Sequence, residues 1–214
     1  LFVQGTMVSA QYVWEGEELP LDIKELVRGT DIPVVVGGCV NYHTAMHLMR
    51  TGAAGIVVGY GATEGITTTG EVLGINVAMA TAIADAAAAR RDYMEESGGR
   101  YVHVIANGDL NSSGDIAKAI ACGADAVMAG PLLAQAQEAA GKGVYWPIVA
   151  GHPANPRGAV VPVMTEYEAD DEDYDGPTLE VILHGPSSEP FGTCDLAGGL
   201  RRSMAKCGYT SSVS

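Results

Sequence analysis

The chain has 214 residues, of which 47% are hydrophobic and 18% are charged, and its formal net charge is −14. This composition is typical of a folded globular domain and excludes a long disordered chain. The acidic balance argues against a nucleic-acid partner, because nucleic-acid binding depends on phosphate neutralisation by Lys and Arg. No apolar run reaches the roughly 20 residues of a membrane helix, so we expect no membrane association.

The predicted elements alternate between strands and helices along the chain. Apolar, β-branched runs predict five strands, at 1–4, 32–36, 55–58, 102–105 and 126–128. Helical patterns lie near 20–28, 41–51, 76–96, 113–122 and 131–140, and a last helix is predicted at 196–207. Uninterrupted apolar strands separated by helices are typical of a parallel sheet that is covered on both faces. The sequence therefore predicts an α/β fold.

An internal repeat refines this prediction. Residues 32–59 overlay residues 103–130 without a gap, and Gly37 and Gly59 fall on Gly108 and Gly130. A repeated strand–loop–helix–strand unit favours a (β/α)₈ TIM barrel. Because a whole barrel needs eight strands, we expect the C-terminal part of one, from about its fourth strand onward, with 1–214 as a single partial TIM-barrel domain.

No clear element is predicted between 144 and 178, where Pro147, Pro153, Pro156 and Pro162 interrupt the chain. Seven of the 26 acidic residues lie at 166–175 within this segment. A long excursion before a final helix is unusual in a compact domain, and excursions of this size often cover active sites. We therefore interpret 144–178 as a flap with an acidic excursion, and a short apolar segment, 178–183, follows it.

Capping residues support the predicted helices. Asn41 can cap the second helix, and Ser112 with Asp115 matches the capping-box pattern of the fourth. Gly52 and Gly123 follow helices where left-handed residues commonly end them. The pair Arg90-Arg91, with acidic neighbours, is interpreted as a solvated helix face.

The predicted strand ends carry glycine, and in a barrel the active site lies at the carboxyl ends of the strands. Glycine allows backbone N–H groups to approach a ligand, and helix N-termini favour anions. Tight turns would require the same glycines, so both interpretations stay open. Cys39 also lies at a strand end, where a small buried hydrophobe is the simpler interpretation than a reactive thiol.

Several segments together resemble the inosine-monophosphate dehydrogenase/GMP reductase family, in its short branch without CBS domains. These are QGTMVSA, IPVVVGG, VHVIANG, GDIAKAIACGADAVMAG and LAGGLRRSMAKCGY. The resemblance implies a barrel that binds a purine nucleoside monophosphate, hydride chemistry with NAD or NADP, and a homo-oligomer, specifically a tetramer. It places nucleotide or phosphate contacts at seven residues: Gly59, Gly61, Asn107, Gly108, Asp109, Gly130 and Gly158. It also suggests Thr68 and Arg157 as catalytic residues.

The chain departs from the family pattern at four positions. Ile66 stands where the family has its nucleophilic cysteine, and isoleucine cannot form the covalent adduct. Asn107 replaces the aspartate that binds the ribose hydroxyls, and Asp109 replaces a glycine of the phosphate loop. Pro131 replaces a serine and has no N–H to donate.

These departures leave two hypotheses about the function. One is an IMP dehydrogenase-like oxidoreductase whose catalytic competence is in question because of Ile66. The alternative is a purine-nucleotide-binding or structural homologue without chemistry. A third possibility, another phosphate-binding barrel enzyme, lacks an evident acid/base pair at the strand ends. Four scattered cysteines with no metal-ligand spacing predict no metal site and a reducing cytoplasmic location.

Overall fold

The computed structural model describes residues 1–5, 11–12, 21–61, 74, 77–145, 161–162 and 174–210. Two compact units are distinguished in the chain. Unit 1 comprises Leu1–Tyr60, Thr69–Gly108 and Ala119–Val127, and unit 2 comprises Gly61–Thr68, Asp109–Lys118 and Met128–Ser214. The single-domain assignment for 1–214 stays a prediction.

Unit 1 is built on a five-stranded parallel sheet. Its strands are β1 (Phe2–Gln4), β4 (Val35–Cys39), β5 (Gly55–Val58), β6 (His103–Ala106) and β7 (Ala126–Val127). They are hydrogen-bonded in the order β1-β4-β5-β6-β7. In register, Val36 pairs with Ile56 and Ile56 with Val104, and all three side chains are fully buried. A separate antiparallel pair is formed by β2 (Gln11–Tyr12) and β3 (Leu21–Asp22).

Helices connect the parallel strands of this sheet. They are α1 (Ile23–Arg28), α2 (Tyr42–Met49), α3 (Met79–Glu96) and α4 (Ser113–Ala121), and α4 runs from the residues of unit 2 into those of unit 1. Helix α3 buries a stripe of alanines together with Ile83, and α2 buries Leu48 and Met49. Small alanine side chains allow the two helices to pack closely. The core of unit 1 therefore consists of aliphatic strand residues covered by alanines and a few larger apolar side chains of the helices.

The described residues of unit 2 form the first part of α4, three further helices and one short antiparallel pair. The helices are α5 (Gly130–Ala134), α6 (Leu179–His184) and α7 (Leu196–Lys206), and the pair is formed by β8 (Val144–Tyr145) and β9 (Val161–Pro162). Leu132 and Ile182 are its most deeply buried aliphatic side chains. Among the described residues, no helix is both long and apolar enough to cross a membrane.

The α/β prediction is confirmed, and the parallel sheet with its helical connections agrees with part of a (β/α)₈ barrel. The internal repeat holds from the helix onward, because α2 and β5 overlay α4 and β7 at the predicted offset. The first strand of the repeat is shifted. Strand β4 begins at Val35, three residues later than predicted, because its ladder starts opposite β1, where Val35 N–H donates to Leu1.

Two other predictions need correction, and one segment without a predicted element forms a helix. The helix expected at 131–140 ends at Ala134, because Gln137 N–H leaves the helical ladder and donates to the carbonyl of Pro177 at 3.0 Å. The segment 144–178, predicted without elements, contributes both β8 and β9. The apolar segment 178–183 forms helix α6, which Thr178 caps by accepting from Val181 N–H. The proposed flap role of 144–178 stays a prediction.

The predicted caps are confirmed. Asn41 Oδ1 accepts from Thr44 N–H at 2.9 Å. Ser112 Oγ accepts from Asp115 N–H at 3.3 Å and donates to the Asp115 carboxylate at 2.9 Å. Gly52 and Gly123 adopt φ values of 96° and 110° after their helices. These caps set where α2 and α4 begin, and therefore where the loops that precede them end.

Candidate functional site

The carboxyl edge of the unit 1 sheet gathers the ends of four adjacent strands. These ends are Gly5 after β1, Gly37–Cys39 at the end of β4, Gly59–Tyr60 after β5 and Asn107–Gly108 after β6. They are tied together by main-chain bonds rather than left as open loops. Gly38 N–H donates to Gly5 at 3.0 Å, Gly59 N–H donates to Cys39 at 2.8 Å, and Asn107 N–H donates to Val58 at 2.7 Å. These hydrogen bonds join Gly5, 37–39, 59–60 and 107–108 into a continuous edge, which we call the rim.

The geometry of the rim requires a glycine at position 59. Its φ is 97°, a conformation that residues with a Cβ rarely adopt. A Cβ at this position would overlap the carbonyl oxygen of Asn107 and lie 2.9 Å from Met79 Sδ. Since its amide is already bonded to Cys39, Gly59 serves here to let the ends of β5 and β6 approach each other. Its predicted contact with a nucleotide stays a prediction.

Asn107 is the polar side chain that the rim buries. It is 5% exposed, and its Nδ2 finds no hydrogen-bond partner among the described residues. Buried amides are nearly always paired, because leaving one unpaired costs about 1–3 kcal/mol. An unpaired buried donor at the carboxyl end of a barrel-type strand is a feature that a bound ligand would explain.

Tyr60 and Cys39 flank the same rim with different properties. Tyr60 is half-buried, and burial raises the pKa of its phenol, with a smaller contribution from Cys39. Its ring lies against Gly38, where a Cβ would come within 2.8 Å of Tyr60 Cδ1. Cys39 is fully buried, its Sγ lies 3.4 Å from the carbonyl oxygen of Val57, and burial raises its pKa to about 12. Cys39 therefore carries a neutral thiol at physiological pH, which supports its interpretation as a packing residue.

The loop after β6 continues with two residues of positive φ. Gly108 has φ 153° and Asp109 has φ 50°. Asparagine and aspartate tolerate the left-handed region better than other residues with side chains. Asp109 belongs to unit 2. It is not an unpaired residue, because it interacts with another group of the protein.

Two further predicted site residues belong to unit 2. Gly130 opens the short helix α5, and a Cβ there would come within 2.7 Å of the Tyr145 ring. Tyr145, on β8, is a residue that the sequence analysis missed, and burial raises the pKa of its phenol. Gly61 adopts φ 102° with open space around its Cα. The backbone is therefore closely packed at Gly130, whereas Gly61 has free space around it.

The remaining predicted site residues lie outside the described residues. They are Ile66, Thr68, Arg157 and Gly158. Their assignments therefore stay predictions. Among the described residues, no group of three or more His, Cys, Asp or Glu side chains could hold a metal ion.

A charged cluster lies at the amino edge of the same sheet, next to the start of β7. Asp125 accepts from Arg90 at 2.6 Å, from Tyr101 Oη at 2.5 Å and from Val104 N–H at 2.7 Å. The Arg90 guanidinium also lies 4.9 Å from the centroid of the Tyr101 ring, and its side chain is only 13% exposed. The prediction of a solvated Arg90 is therefore wrong, because a partly buried carboxylate and an aromatic ring hold it. This edge of a barrel usually serves stability rather than chemistry.

Comparison with known proteins agrees with this architecture. The family model for the IMP dehydrogenase/GMP reductase domain matches residues 18–212. The chain belongs to the IMP dehydrogenase/GMP reductase family. It is 58% identical over 209 residues to an uncharacterized oxidoreductase of Mycolicibacterium smegmatis, covering 98% of this chain and 53% of that relative. It is 34% identical to the inosine-5′-monophosphate dehydrogenase of Methanocaldococcus jannaschii, covering 86% of this chain and 38% of the relative.

A solved structure shows the same fold. The IMP dehydrogenase/GMP reductase-like protein from Corynebacterium glutamicum superposes with a TM-score of 0.83 at 52% identity. The match covers 99% of this chain and 52% of that protein. The chain thus spans about half the length of the relatives it matches.

Proposed function

We propose that the protein containing this chain binds a purine nucleoside monophosphate at the carboxyl ends of its parallel strands. The observation that carries this proposal is the buried, unpaired amide of Asn107 at the end of β6. Its family includes an inosine-5′-monophosphate dehydrogenase that is 34% identical to this chain. A donor kept unpaired in the free protein is best explained if a ligand satisfies it.

We also propose that the protein is an oxidoreductase that uses NAD or NADP, as its family membership supports. Tyr60 provides the one aromatic surface among the described strand ends of unit 1, and no Lys or Arg lies in these ends. A half-buried ring in neutral surroundings suits an uncharged or delocalised planar group. A nicotinamide cofactor would supply the hydride acceptor or donor; this chain would bind and orient the purine nucleotide.

Covalent catalysis through a cysteine is not part of this proposal. Ile66 occupies the family's nucleophile position, and a hydrocarbon side chain offers no lone pair to attack a purine carbon. Cys39 does not replace it, since its thiol is buried and its raised pKa keeps it protonated. A non-catalytic purine-nucleotide-binding homologue is therefore the second candidate, and Ile66 is the residue that favours it.

Binding and turnover separate these candidates. We expect calorimetry on the full-length protein to show saturable binding of IMP or GMP, with UMP as a pyrimidine control that does not bind. Reduction of NAD with IMP, or oxidation of NADPH with GMP, would identify the enzyme and its hydride direction. Nucleotide binding without turnover would identify the non-catalytic homologue. Binding of neither purine nucleotide would contradict both candidates.

A further inference from the structure

Helix α7 carries an exposed basic face in the second half of its length. Arg201, Arg202, Ala205 and Lys206 are all exposed. With 3.6 residues per turn, these four positions lie within one arc of about 140° of the helix surface. Leu196, on the opposite side of the same helix, is buried. We call Arg201, Arg202, Ala205 and Lys206 the basic face.

The cations of the basic face are not compensated by the carboxylates around them. Among the described residues, neither Arg201 nor Lys206 forms an ion pair. Arg202 lies 3.9 Å from Asp195, and its side chain is 83% exposed, so solvent screens this pair and it contributes little. Three other described cations lie 2.6–2.8 Å from a carboxylate: Arg50, Arg90 and Lys118.

The charge of the whole chain is distributed unevenly. Residues 196–214 contain three of the 12 basic residues and none of the 26 acidic residues. Residues 1–195 therefore contain nine basic and 26 acidic residues, a net charge of −17. Because so acidic a chain repels external polyanions, its own carboxylates are the favoured counter-charge for the basic face.

The densest group of acidic residues belongs to the same unit as α7. Residues 166–173, which lie outside the described residues, contain six acidic side chains and no basic one. Both 166–173 and α7 belong to unit 2. Among the segments of the chain, this one therefore offers the strongest charge complementarity to the basic face.

The segment 166–173 is tethered close to α7. It directly precedes Tyr174, whose hydroxyl donates to the carbonyl of Gln135 at 2.6 Å. Helix α6 begins at Leu179, and the carbonyl of its Val181 accepts from the N–H of Asp195, the N-cap of α7, at 3.1 Å. Eight residues can span up to about 26 Å, more than the roughly 16 Å length of an 11-residue helix. Such a short tether gives a high effective concentration of carboxylates near the basic face.

We propose that the basic face of α7 is a docking surface for the acidic segment 166–173 of the same chain. Each exposed ion pair is weak, but the tether allows several to act together. Docking also reduces the mutual repulsion of six neighbouring carboxylates. The contact involves none of the residues of the rim, so this inference does not depend on the proposed function.

Zero-length carbodiimide cross-linking of the full-length protein tests the contact, because it joins a lysine amine to a carboxylate only where the two touch. At about 20 mM salt, we expect a cross-link from Lys206 to an acidic side chain of 166–173, located by mass spectrometry. It should occur in the species of monomer mass on a denaturing gel. At about 500 mM salt its yield should fall at least about fivefold, because the Debye length shortens from roughly 20 Å to 4 Å.

Charge-reversal variants separate docking from general electrostatics. Arg201→Glu combined with Arg202→Glu keeps the amine of Lys206 and reverses the charge beside it. We expect this variant to lower the yield of the cross-link at least about fivefold at low salt. Lys24→Glu combined with Arg28→Glu is the matched control, since both residues are exposed on α1 and the change in net charge is the same. This control should leave the yield unchanged.

Lys118 and Asp115 provide an internal reference, because their side chains are 2.8 Å apart and should cross-link in every sample. If this reference forms and Lys206 does not couple to 166–173, the inference is wrong. A Lys206 cross-link found only in the species of dimer mass would identify a second copy as the occupant and would contradict docking within one chain. A yield that neither salt nor charge reversal changes would show that charge complementarity does not hold the segment.

Discussion

Gly59 shows how one residue can be predicted for one reason and needed for another. Its position after an apolar strand suggests a ligand-binding loop. The structure confirms that Gly59 lies at the end of a strand. Its amide, however, is bonded to Cys39, and its missing Cβ makes room for the carbonyl of Asn107. The sequence does not show which strand lies next to Gly59. It therefore cannot distinguish a glycine whose N–H binds a ligand from a glycine that allows two backbone segments to approach closely.

The structural role of Gly59 can be measured against Gly61. Both adopt positive φ, at 97° and 102°, but only Gly59 is crowded. We expect Gly59→Ala to lower the free energy of unfolding by about 3 kcal/mol, through backbone strain plus overpacking. Gly61→Ala should cost about 1 kcal/mol, through strain alone. Urea unfolding of both variants measures this difference, and equal losses would refute the crowding at Gly59.

Asn107 also marks a limit of sequence analysis at the scale of the residue. The resemblance identified it as a substitution at a nucleotide-contact position. Whether its amide is paired depends on the neighbouring strands and their loops, which the sequence does not specify. The unpaired Nδ2 is therefore information that only the folded arrangement provides.

At the scale of the element, helices and strands with strong local signals were predicted well. Strands β5 and β7 and helices α2, α3 and α4 lie within a few residues of their predicted bounds, because apolar runs and caps act locally. The short pairs β2–β3 and β8–β9 were missed, since two residues carry no detectable period. The early end of α5 was also missed, because it depends on Pro177, some forty residues away.

The cluster around Asp125 is the element-level feature with the largest expected effect on stability. Its carboxylate joins α3, through Arg90, to the strands β6 and β7. Asp125→Ala would leave the Arg90 charge, the Tyr101 hydroxyl and the Val104 N–H without this acceptor. We expect a loss of about 3 kcal/mol in the free energy of unfolding, as for a partly buried ion pair deprived of one member.

The matched control for this cluster is Arg91→Ala, which removes the adjacent, exposed arginine of the same helix. It should change the free energy of unfolding by less than about 0.5 kcal/mol, as is usual for surface positions. Chemical denaturation of Asp125→Ala, Arg90→Ala and Arg91→Ala gives the comparison. If Asp125→Ala is as stable as Arg91→Ala, the cluster does not hold the amino edge together.

At the scale of the whole molecule, the internal repeat and the alternation of strands and helices were sufficient to predict an α/β fold of barrel type. The family match over residues 18–212 and the TM-score of 0.83 support the same architecture. Chemistry was harder to predict than fold. The sheet is specified by many apolar residues, whereas the prediction about catalysis depends on the single position Ile66, whose alignment with the family's cysteine stays a prediction.

The central claim is that the carboxyl edge of the parallel sheet binds a purine nucleotide without a covalent bond to the chain. A crystal structure of the full-length protein soaked with IMP tests it most directly. We predict the nucleotide at the strand ends, with one of its acceptor atoms within hydrogen-bond distance of Asn107 Nδ2 and no covalent bond from the purine to any side chain. A nucleotide bound away from Asn107, or a covalent purine adduct, would contradict this account.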